Sequence, residues 1–566
     1  MDTSVPVPAH LRRYVVEQNY EAYTARDQAV WRFVLLQTHA RLLHLAHPAY
    51  AGGFCDAGIE VDRIPHIARM SNQLASSGFR AVCVDGFIPP RAFQAFQARG
   101  VLPIAADIRT AEHLTYTPAP DIIHEAAGHA PFLAHPDYAR FLRRIGAVSE
   151  HAFESVHDRQ VYDAIHLLSE VKEDPASTPA QVQRAEAQLA QLQARSVRVS
   201  EATQMARLYW WTVEYGLIGS LDDFRLYGAG LLSSIGESHF CHEPSVQKRW
   251  LDARCVEVDY DITRAQPQLF VVRAFGDLER VLDDVAASLS HRRGGEAAIE
   301  EARASESAAT LALSNGFAIT GVVQAHARSH IVLAGPCRIS RHGEVLASLP
   351  AVSDYVLPLG ACDGIALDRL GPDAIRARCT DGCFRLRVAD LAIAGTLGAL
   401  TVDDGRVVVA MLHDCEVTRA GAPVLRARDY PLLLAEHVVT ASAAVPEGFY
   451  PATPFAGTQV PTPRTHGEAE RRMIALHEQV RALVHAQLGA RGLAPLEAMH
   501  ATLLAHHPDE WLLRWNLLEA LLTAGQRDAP LARTLTEELE RLEIRYAHRE
   551  PIATGLAQLR ALTGAA

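Results

Sequence analysis

The sequence has no run of about 18 consecutive apolar residues, which a membrane-spanning helix requires, so a membrane is not an expected partner. Basic residues are not in excess either, because 66 acidic and 54 basic side chains give a net charge of −12. A surface that binds the phosphate backbone is basic, and nucleic acid is therefore not an expected partner. The opening M-D-T-S-V-P-V-P-A-H has no basic start followed by an apolar core, so no signal peptide is expected.

Cysteine is sparse and scattered along the chain. Nine cysteines occur, and only Cys379 and Cys383 stand close together, as C-T-D-G-C. That spacing differs from the usual zinc knuckles. An odd and dispersed set of cysteines favours reduced thiols, and we expect a cytoplasmic protein.

The length of 566 residues and the hydrophobic content of 49% allow several cores. Apolar residues at three- and four-residue spacings predict a mainly α-helical first domain, residues 1–288. Short Val-, Ile- and Leu-rich runs separated by Gly and Asp predict a small β-rich domain at 310–442. After a Pro-rich linker, apolar residues at helical spacing predict a helical C-terminal region at 466–566.

Two histidines lie in the segment T-Y-T-P-A-P-D-I-I-H-E-A-A-G-H-A-P-F-L, residues 115–133. His124 and His129 are five residues apart, and in an ideal α-helix that spacing leaves two side chains roughly 140° apart. The two imidazoles therefore share a metal only if the helix ends between them, and Gly128 followed by Pro131 favours such an end. The spacing alone also allows a pair of hydrogen-bonded core histidines.

One carboxylate, Glu214, stands in the aromatic segment L-Y-W-W-T-V-E-Y-G-L-I, residues 208–218. An unpaired buried carboxylate is costly, so we expect a cationic partner, which is either a metal ion or an arginine such as Arg207 or Arg225. Two imidazoles and one carboxylate form the 2-His-1-carboxylate iron(II) site, which keeps coordination positions open. Asp121, three residues before the first histidine, is either an acceptor for an imidazole or a helix cap.

Three segments together resemble the pterin-dependent aromatic amino acid hydroxylases. They are Y-T-P-A-P-D-I-I-H-E-A-A-G-H-A-P from Tyr116 to Pro131, Y-W-W-T-V-E-Y-G from Tyr209 to Gly216, and Y-G-A-G-L-L-S-S from Tyr227 to Ser234. The resemblance covers about residues 60–285. It implies the hydroxylase fold, in which residues at about 150–203 are a helical insertion relative to compact family members. It also implies a site that uses iron(II), a tetrahydropterin and O2.

The implied reaction is hydroxylation of the ring of a small molecule, a free aromatic amino acid. L-Phenylalanine to L-tyrosine is the first expectation, and a tryptophan hydroxylase or a meta-position phenylalanine hydroxylase is the variant. A zinc hydrolase that uses His124, Glu125 and His129, and a non-catalytic sensor, are alternatives of other classes. The oligomeric state is left open, with a homo-oligomer as one option.

The resemblance also implies roles for individual residues. His124, His129 and Glu214 are the implied iron ligands, while Glu125 is implied to face the pterin and Tyr209 to lie beside the iron. The remaining implied contacts are Arg109, Thr117 and Ser233 at the amino acid carboxylate, Tyr116, Pro118 and Trp210 around its ring, Phe93 stacked on the pterin, and the backbone near Gly86 and Ile88 at the pterin edge. A guanidinium fork matches a carboxylate, which supports the role of the arginine physically.

The sequence also departs from the family pattern. Ala119 stands where an acidic residue is common, and Tyr215 replaces the usual phenylalanine beside the implied ligand Glu214. The hydroxyl of Tyr215 adds a polar group to the region of the implied substrate pocket.

Overall fold

A computed structural model gives the fold. It describes residues 7–86, 88–111, 114, 120–173, 177–195, 198–262, 265–341, 344–345, 352–444, 467–485, 493–545 and 549–562. None of the helices within these ranges has the length and apolarity needed to span a bilayer.

The elements are numbered in chain order. The α-helices are α1 (Ala9–Arg12), α2 (Ala25–Leu45), α3 (Ala49–Asp56), α4 (Ile67–Leu74), α5 (Pro90–Ala98), α6 (Pro136–Ser149), α7 (Val156–Glu173), α8 (Pro179–Gln193), α9 (Glu201–Tyr209), α10 (Ala229–Ser233), α11 (Ile235–Phe240), α12 (Gly276–Ser288), α13 (Ser290–Arg293), α14 (Gly295–Ser305), α15 (Pro372–Arg376), α16 (Glu468–His485), α17 (Ala494–His506), α18 (Trp511–Thr523), α19 (Pro530–Arg545) and α20 (Arg549–Leu562). The strands are β1 (Arg80–Val84), β2 (Val101–Ala105), β3 (Leu217–Gly219), β4 (Phe224–Leu226), β5 (Gln247–Trp250), β6 (Gln268–Val272), β7 (Ala308–Leu313), β8 (Ala318–Ala327), β9 (His330–Arg341), β10 (Glu344–Val345), β11 (Val352–Pro358), β12 (Ala361–Cys362), β13 (Ile365–Ala366), β14 (Cys379–Thr380), β15 (Cys383–Val388), β16 (Leu391–Asp403), β17 (Arg406–Arg419), β18 (Ala422–Leu433) and β19 (Val438–Ala443). Ile123–His129 and Trp210–Glu214 are π-helices.

The chain divides into two compact units. The first contains Met1–Gly146, Arg207–Val281 and Phe455–Ala566, and the second contains Ala147–Ala206 and Leu282–Pro454. The predicted helical insertion therefore falls in the second unit, and the predicted C-terminal helical region falls in the first.

In the first unit a parallel strand pair supports the site. Strands β1 and β2 run parallel, with Arg80 opposite Val101, and α5 connects them. The inner face of α5 contributes Phe96, which is fully buried, to the core on this sheet. Two other residues of α5, Phe93 and Gln97, point toward the candidate site.

The C-terminal helices pack on α2 within the same unit. Phe33 of α2 is fully buried, and its ring makes edge contacts with Trp511 at 5.0 Å and Trp515 at 4.8 Å between centroids. Arg32 of α2 forms an ion pair with Glu519 of α18. Because α18 is covered on all sides, its residues from Trp511 to Leu521 are buried, which is the pattern of a central helix in a bundle.

The second unit contains the β-rich segment that the sequence predicts. One sheet has the order β10-β9-β8-β7-β19, with β11 also paired to β9, and another has the order β14-β15-β16-β17-β18. Their apolar faces form one core. In the helical hairpin of this unit, Thr178 and Gln181 form a capping box and Pro179 begins α8, a combination that favours a helix start.

Candidate metal centre

The two histidines of the predicted metal site lie on one π-helix, Ile123–His129. In a π-helix the hydrogen bonds join residues i and i+5, so His124 and His129 are one turn apart and lie on the same face. The prediction that the helix ends at Gly128 is wrong. A Cβ atom at Gly128 would lie 2.8 Å from the Ala229 carbonyl oxygen, so the glycine permits close packing against α10.

The carboxylate of Glu214 lies against both imidazoles. Its Oε2 is 3.3 Å from Nε2 of His124, and its Oε1 is 3.3 Å from Nε2 of His129. The two arginines proposed as alternative partners are engaged elsewhere, since Arg207 pairs with Asp259 and Arg225 donates to the carbonyl of His44. The ligand atoms of His124, His129 and Glu214 all lie within 4.8 Å of one another.

These three residues fit a metal ion. Two ligands at right angles, each about 2.1 Å from a metal, are roughly 3 Å apart, close to the observed separations. His129 is 1% exposed, and among the described residues its Nε2 makes no hydrogen bond. A buried nitrogen of this kind needs a partner, and a metal between imidazole and carboxylate supplies one. Within the described ranges no other group of three metal-binding side chains is found.

Ser233 fixes the proton position on His124. Its Oγ donates to the Ala229 carbonyl oxygen at 2.8 Å and lies 2.9 Å from Nδ1 of His124. Because the serine proton is already donated, Nδ1 of the imidazole is the donor in the second contact. In the neutral imidazole of His124, Nε2 is then the nitrogen without a proton, and it can bind a metal. A hydrogen bond of this kind to Nδ1 holds metal-binding histidines in orientation.

We expect Ser233→Ala to weaken metal binding by about 10–100-fold, because loss of such a supporting hydrogen bond has that effect. The measurement is a Co(II) titration of the metal-free protein. Ser234→Ala is the matched control, because the Ser234 hydroxyl accepts from the Glu237 backbone at the start of α11 and not from a metal ligand. A dissociation constant that does not change in Ser233→Ala would remove this supporting role.

Burial and the neighbouring charges set the protonation of the site. Burial alone lowers the pKa of His124, but the adjacent Glu214 carboxylate outweighs it and raises that pKa to about 9. Burial alone raises the pKa of Glu214, whereas His129 and His124 hold it well below its usual range. Burial raises the pKa of Glu125 to about 8, so Glu125 is a neutral acid near pH 7. A metal at this site must displace the proton from His124.

Arg109 and Asp121 form a buried ion pair beside the π-helix. Nε and Nη2 of Arg109 donate to the two carboxylate oxygens of Asp121 at 2.8 and 2.7 Å. Asp121 also accepts from the backbone N–H of His124 at 3.0 Å. Of the two predicted roles for Asp121, the structure has the helix cap, because the imidazole contacts Ser233 instead. Among the described residues, Nη1 of Arg109 makes only longer contacts, to the carbonyl oxygens of Ser233 at 3.3 Å and Leu114 at 3.5 Å.

Two predicted site residues lie next to the metal ligands. The Phe93 ring is 5.9 Å from the His129 ring and 6.5 Å from the Tyr209 ring, between centroids. Glu125 is 4% exposed, its Oε2 lies 4.0 Å from Nε2 of His129, and this oxygen has no hydrogen-bond partner among the residues described. The site therefore contains a buried acid, an aromatic ring and a phenol around the metal ligands.

Comparison with known proteins identifies this part of the chain. Residues 17–162 and 180–294 match the family of biopterin-dependent aromatic amino acid hydroxylases. This part of the chain, just under half of its length, is similar to that family. The similarity indicates an enzyme, a monooxygenase whose cofactors are iron and a tetrahydropterin, and His124, His129 and Glu214 are placed to hold the iron.

The hydroxylase is similar to several characterised proteins. It is 28% identical over 269 residues to the phenylalanine-4-hydroxylase of Chromobacterium violaceum, and the alignment covers 47% of this chain and 75% of that relative. It is 29% identical over 276 residues to the phenylalanine-4-hydroxylase of Bos taurus, and the alignment covers 47% of this chain and 51% of that relative. A crystal structure of the Chromobacterium violaceum phenylalanine hydroxylase with bound oxidized Fe(III) has 25% identity and a TM-score of 0.38, and covers 50% of this chain and 87% of its own. The chain thus spans about half the length of the bovine relative.

An aromatic stack flanks the metal ligands of the hydroxylase. Trp210 lies between Tyr260, at 4.2 Å and 10°, and Tyr215, at 4.6 Å and 29°. The Tyr215 hydroxyl donates to a Glu237 oxygen at 3.4 Å. Sequence reasoning found Trp210 and the unusual Tyr215, but it missed Tyr260, which no motif marks because it comes from a loop far along the chain.

Two further predicted site residues lie around strand β1 and helix α5, and three others are not described. Gly86 has a φ of 59° and follows β1, and Ile88 is buried in the core that Phe93 contacts. Tyr116, Thr117 and Pro118 lie outside the described residues. Sequence reasoning also missed Gln97, although its position four residues after Phe93 puts both on one face of α5.

Proposed function

We propose that the hydroxylase converts free L-phenylalanine to L-tyrosine. The observation that carries the proposal is the group of His124, His129 and Glu214, with a buried arginine, Arg109, beside it. The iron and the tetrahydropterin, when bound, supply the activation of O2 and the transfer of one oxygen atom to the ring. The protein supplies positioning and an environment from which water is excluded.

Arg109 is the proposed anchor for the amino acid carboxylate. Two of its nitrogens hold Asp121, which keeps the guanidinium in one orientation. The third nitrogen, Nη1, makes only the two longer backbone contacts within the part of the chain that the structure describes. It is the nitrogen that the substrate carboxylate would use. A substrate carboxylate there would place the aromatic ring toward the metal ligands, with Trp210 as the proposed wall of the ring pocket. Ser233, Tyr116, Thr117 and Pro118 stay proposed contacts of the substrate.

The proposed pterin side of the site contains Phe93, Glu125 and the backbone near Gly86 and Ile88. Phe93 offers a ring face close to His129. Glu125 is a buried acid without a described partner for Oε2, which suits a hydrogen bond to a polar heterocycle. Tyr209 is the proposed neighbour of the iron.

We propose the same three-part division that the sequence suggests, with the hydroxylase domain at residues 1–288. The two matched ranges, 17–162 and 180–294, leave a gap inside the proposed insertion at about 150–203, which supports an insertion there. The β-rich part at 310–442 and the helical part at 466–566 lie beyond the matched ranges.

The test of the function is incubation of the full chain with Fe(II), a tetrahydropterin and O2, and with phenylalanine, tryptophan or tyrosine in separate reactions. Chromatography of the products identifies both the substrate and the ring position. Tyrosine formed from phenylalanine supports the proposal. Product from tryptophan alone, or meta-hydroxyphenylalanine, would replace it with one of the variants, and no product from any of the three would overturn it.

We expect Arg109→Lys to raise KM for the amino acid by about 10–100-fold, since a hydrogen bond to a charged group contributes roughly 1.5–3 kcal/mol. Lysine lacks the planar fork and cannot hold Asp121 and a substrate carboxylate together. Steady-state kinetics measure the effect. Arg140→Lys is the matched control, because Arg140 is an exposed partner of Glu279 and Asp137. An unchanged KM in Arg109→Lys would exclude the anchor role.

A further inference from the structure

A buried amide holds the phenol of Tyr209. Nε2 of Gln97 donates to Oη of Tyr209 at 2.7 Å, and Gln97 is 0% exposed. This bond joins α5 to the last residue of α9, across 112 residues of sequence. The Oε1 atom of Gln97 has no hydrogen-bond partner among the described residues. Buried polar atoms are usually hydrogen-bonded, so the bond to Tyr209 is the contact that accounts for this buried amide.

The bond determines where the phenol proton points. Oη of Tyr209 receives the amide hydrogen, so the hydroxyl proton is directed away from Gln97. Gln97 is the only hydrogen-bond partner of this hydroxyl within the ranges that the structure describes. Buried phenols usually find partners for their O–H groups, and the acceptor of this proton is therefore a group that binds in the site.

The phenol lies on the side of the metal ligands. Tyr209 directly precedes the π-helix Trp210–Glu214, and the Tyr215 N–H donates to the Trp210 carbonyl at 2.9 Å in the i+5 pattern of that helix. Tyr209 and Glu214 are five residues apart and so share one face of it. Phe93, one turn before Gln97 on α5, contacts both Tyr209 and His129.

We propose that Gln97 is a positioning residue of the hydroxylase, which fixes the Tyr209 phenol with its proton aimed at the open side of the metal centre. The proposal rests on the function proposed above. A hydrogen-bond donor held in place before the reaction stabilises negative charge that develops on oxygen. A phenol that can rotate would provide this donor only part of the time, and unproductive turnover of the tetrahydropterin would then increase.

Hydroxylation of the amino acid competes with unproductive oxidation of the tetrahydropterin. In productive turnover one oxygen atom of O2 enters the amino acid and the other enters the pterin. In unproductive turnover the tetrahydropterin gives two electrons and two protons to O2, which leaves as H2O2 while the pterin becomes a dihydropterin. The ratio of hydroxylated amino acid to tetrahydropterin consumed therefore reports the positioning of the donor.

The experiment compares wild type, Gln97→Leu, Tyr209→Phe and the double variant. We expect Gln97→Leu to lower the coupling ratio by about threefold or more, since misplacement by about 1 Å can cost up to 100-fold in rate. In the Tyr209→Phe background the same change should have no further effect. Gln94→Leu is the matched control, because Gln94 is a buried glutamine of the same helix that does not contact Tyr209. Gln97→Met serves if Gln97→Leu does not fold.

A second measurement uses the metal-free protein. Ultraviolet resonance Raman spectra, with the Tyr209→Phe spectrum subtracted, isolate the Tyr209 phenol. Gln97→Leu should shift this signal to that of a phenol without a donated hydrogen bond, while Co(II) affinity stays within about twofold of wild type. An unchanged coupling ratio despite this shift would overturn the proposal, as would an equal loss of coupling in the Tyr209→Phe background. If wild type forms no hydroxylated amino acid, the proposed function fails, and the Raman shift still decides whether Gln97 holds Tyr209.

Discussion

His124→Ala is expected to remove both the metal and the turnover while leaving the chain folded. Two ligands remain in the variant, and the loss of one of three should weaken metal binding by more than the roughly 10–100-fold caused by loss of a supporting contact. The side chain of His124 is 16% exposed, so solvent can reach the space that the imidazole leaves, and we expect the fold to persist. Iron content after dialysis, turnover and the circular dichroism spectrum measure the three expectations.

The melting temperature gives an independent reading of the same change. A metal that binds one site of the folded protein alone raises the free energy of unfolding by RT ln(1 + [metal]/Kd). Added Co(II) should therefore raise the melting temperature of wild type and have little effect on His124→Ala. His44→Ala is the matched control, because His44 is an exposed histidine near the end of α2. Iron at full occupancy in His124→Ala would exclude His124 as a ligand.

Phe33→Ala is expected to destabilise the first unit by about 3–5 kcal/mol, the usual cost of removing a buried phenylalanine ring. The ring is fully buried between Trp511 and Trp515, and edge contacts between aromatic rings add to the cost. A Cβ atom at Gly555 would lie 2.8 Å from the Phe33 ring, so α20 also closes on this position. The loss should appear as faster amide exchange in both α2 and α18, because they share the contact.

The control for this prediction is Leu43→Ala, on the same helix α2 but 50% exposed. An exposed substitution of this kind usually changes stability by no more than about 0.5 kcal/mol. If Phe33→Ala changed stability as little as the control, the packing of the C-terminal helices on α2 would be wrong. Faster exchange confined to α2 would likewise contradict the shared contact.

The spacing of the two histidines illustrates what sequence reasoning missed. Five residues place two side chains on one face of a π-helix but on different faces of an α-helix, and the sequence does not state which helix forms. The structure has the π-helix, in which Gly128 permits the close approach of α10. The partner of Asp121 was ambiguous for a similar reason, since both roles use a carboxylate three residues before the histidine.

The sequence by itself determined the chemistry that is available: two imidazoles, one carboxylate among aromatics, an arginine fork and three motifs of one enzyme family. It did so because ligand type and motif order are properties of the chain. Only the tertiary structure decided that the three ligands converge, that Ser233 orients His124, that Gln97 holds Tyr209, and that the C-terminal helices cover α2. These depend on contacts between residues far apart in sequence, and such contacts are set by packing rather than by local pattern.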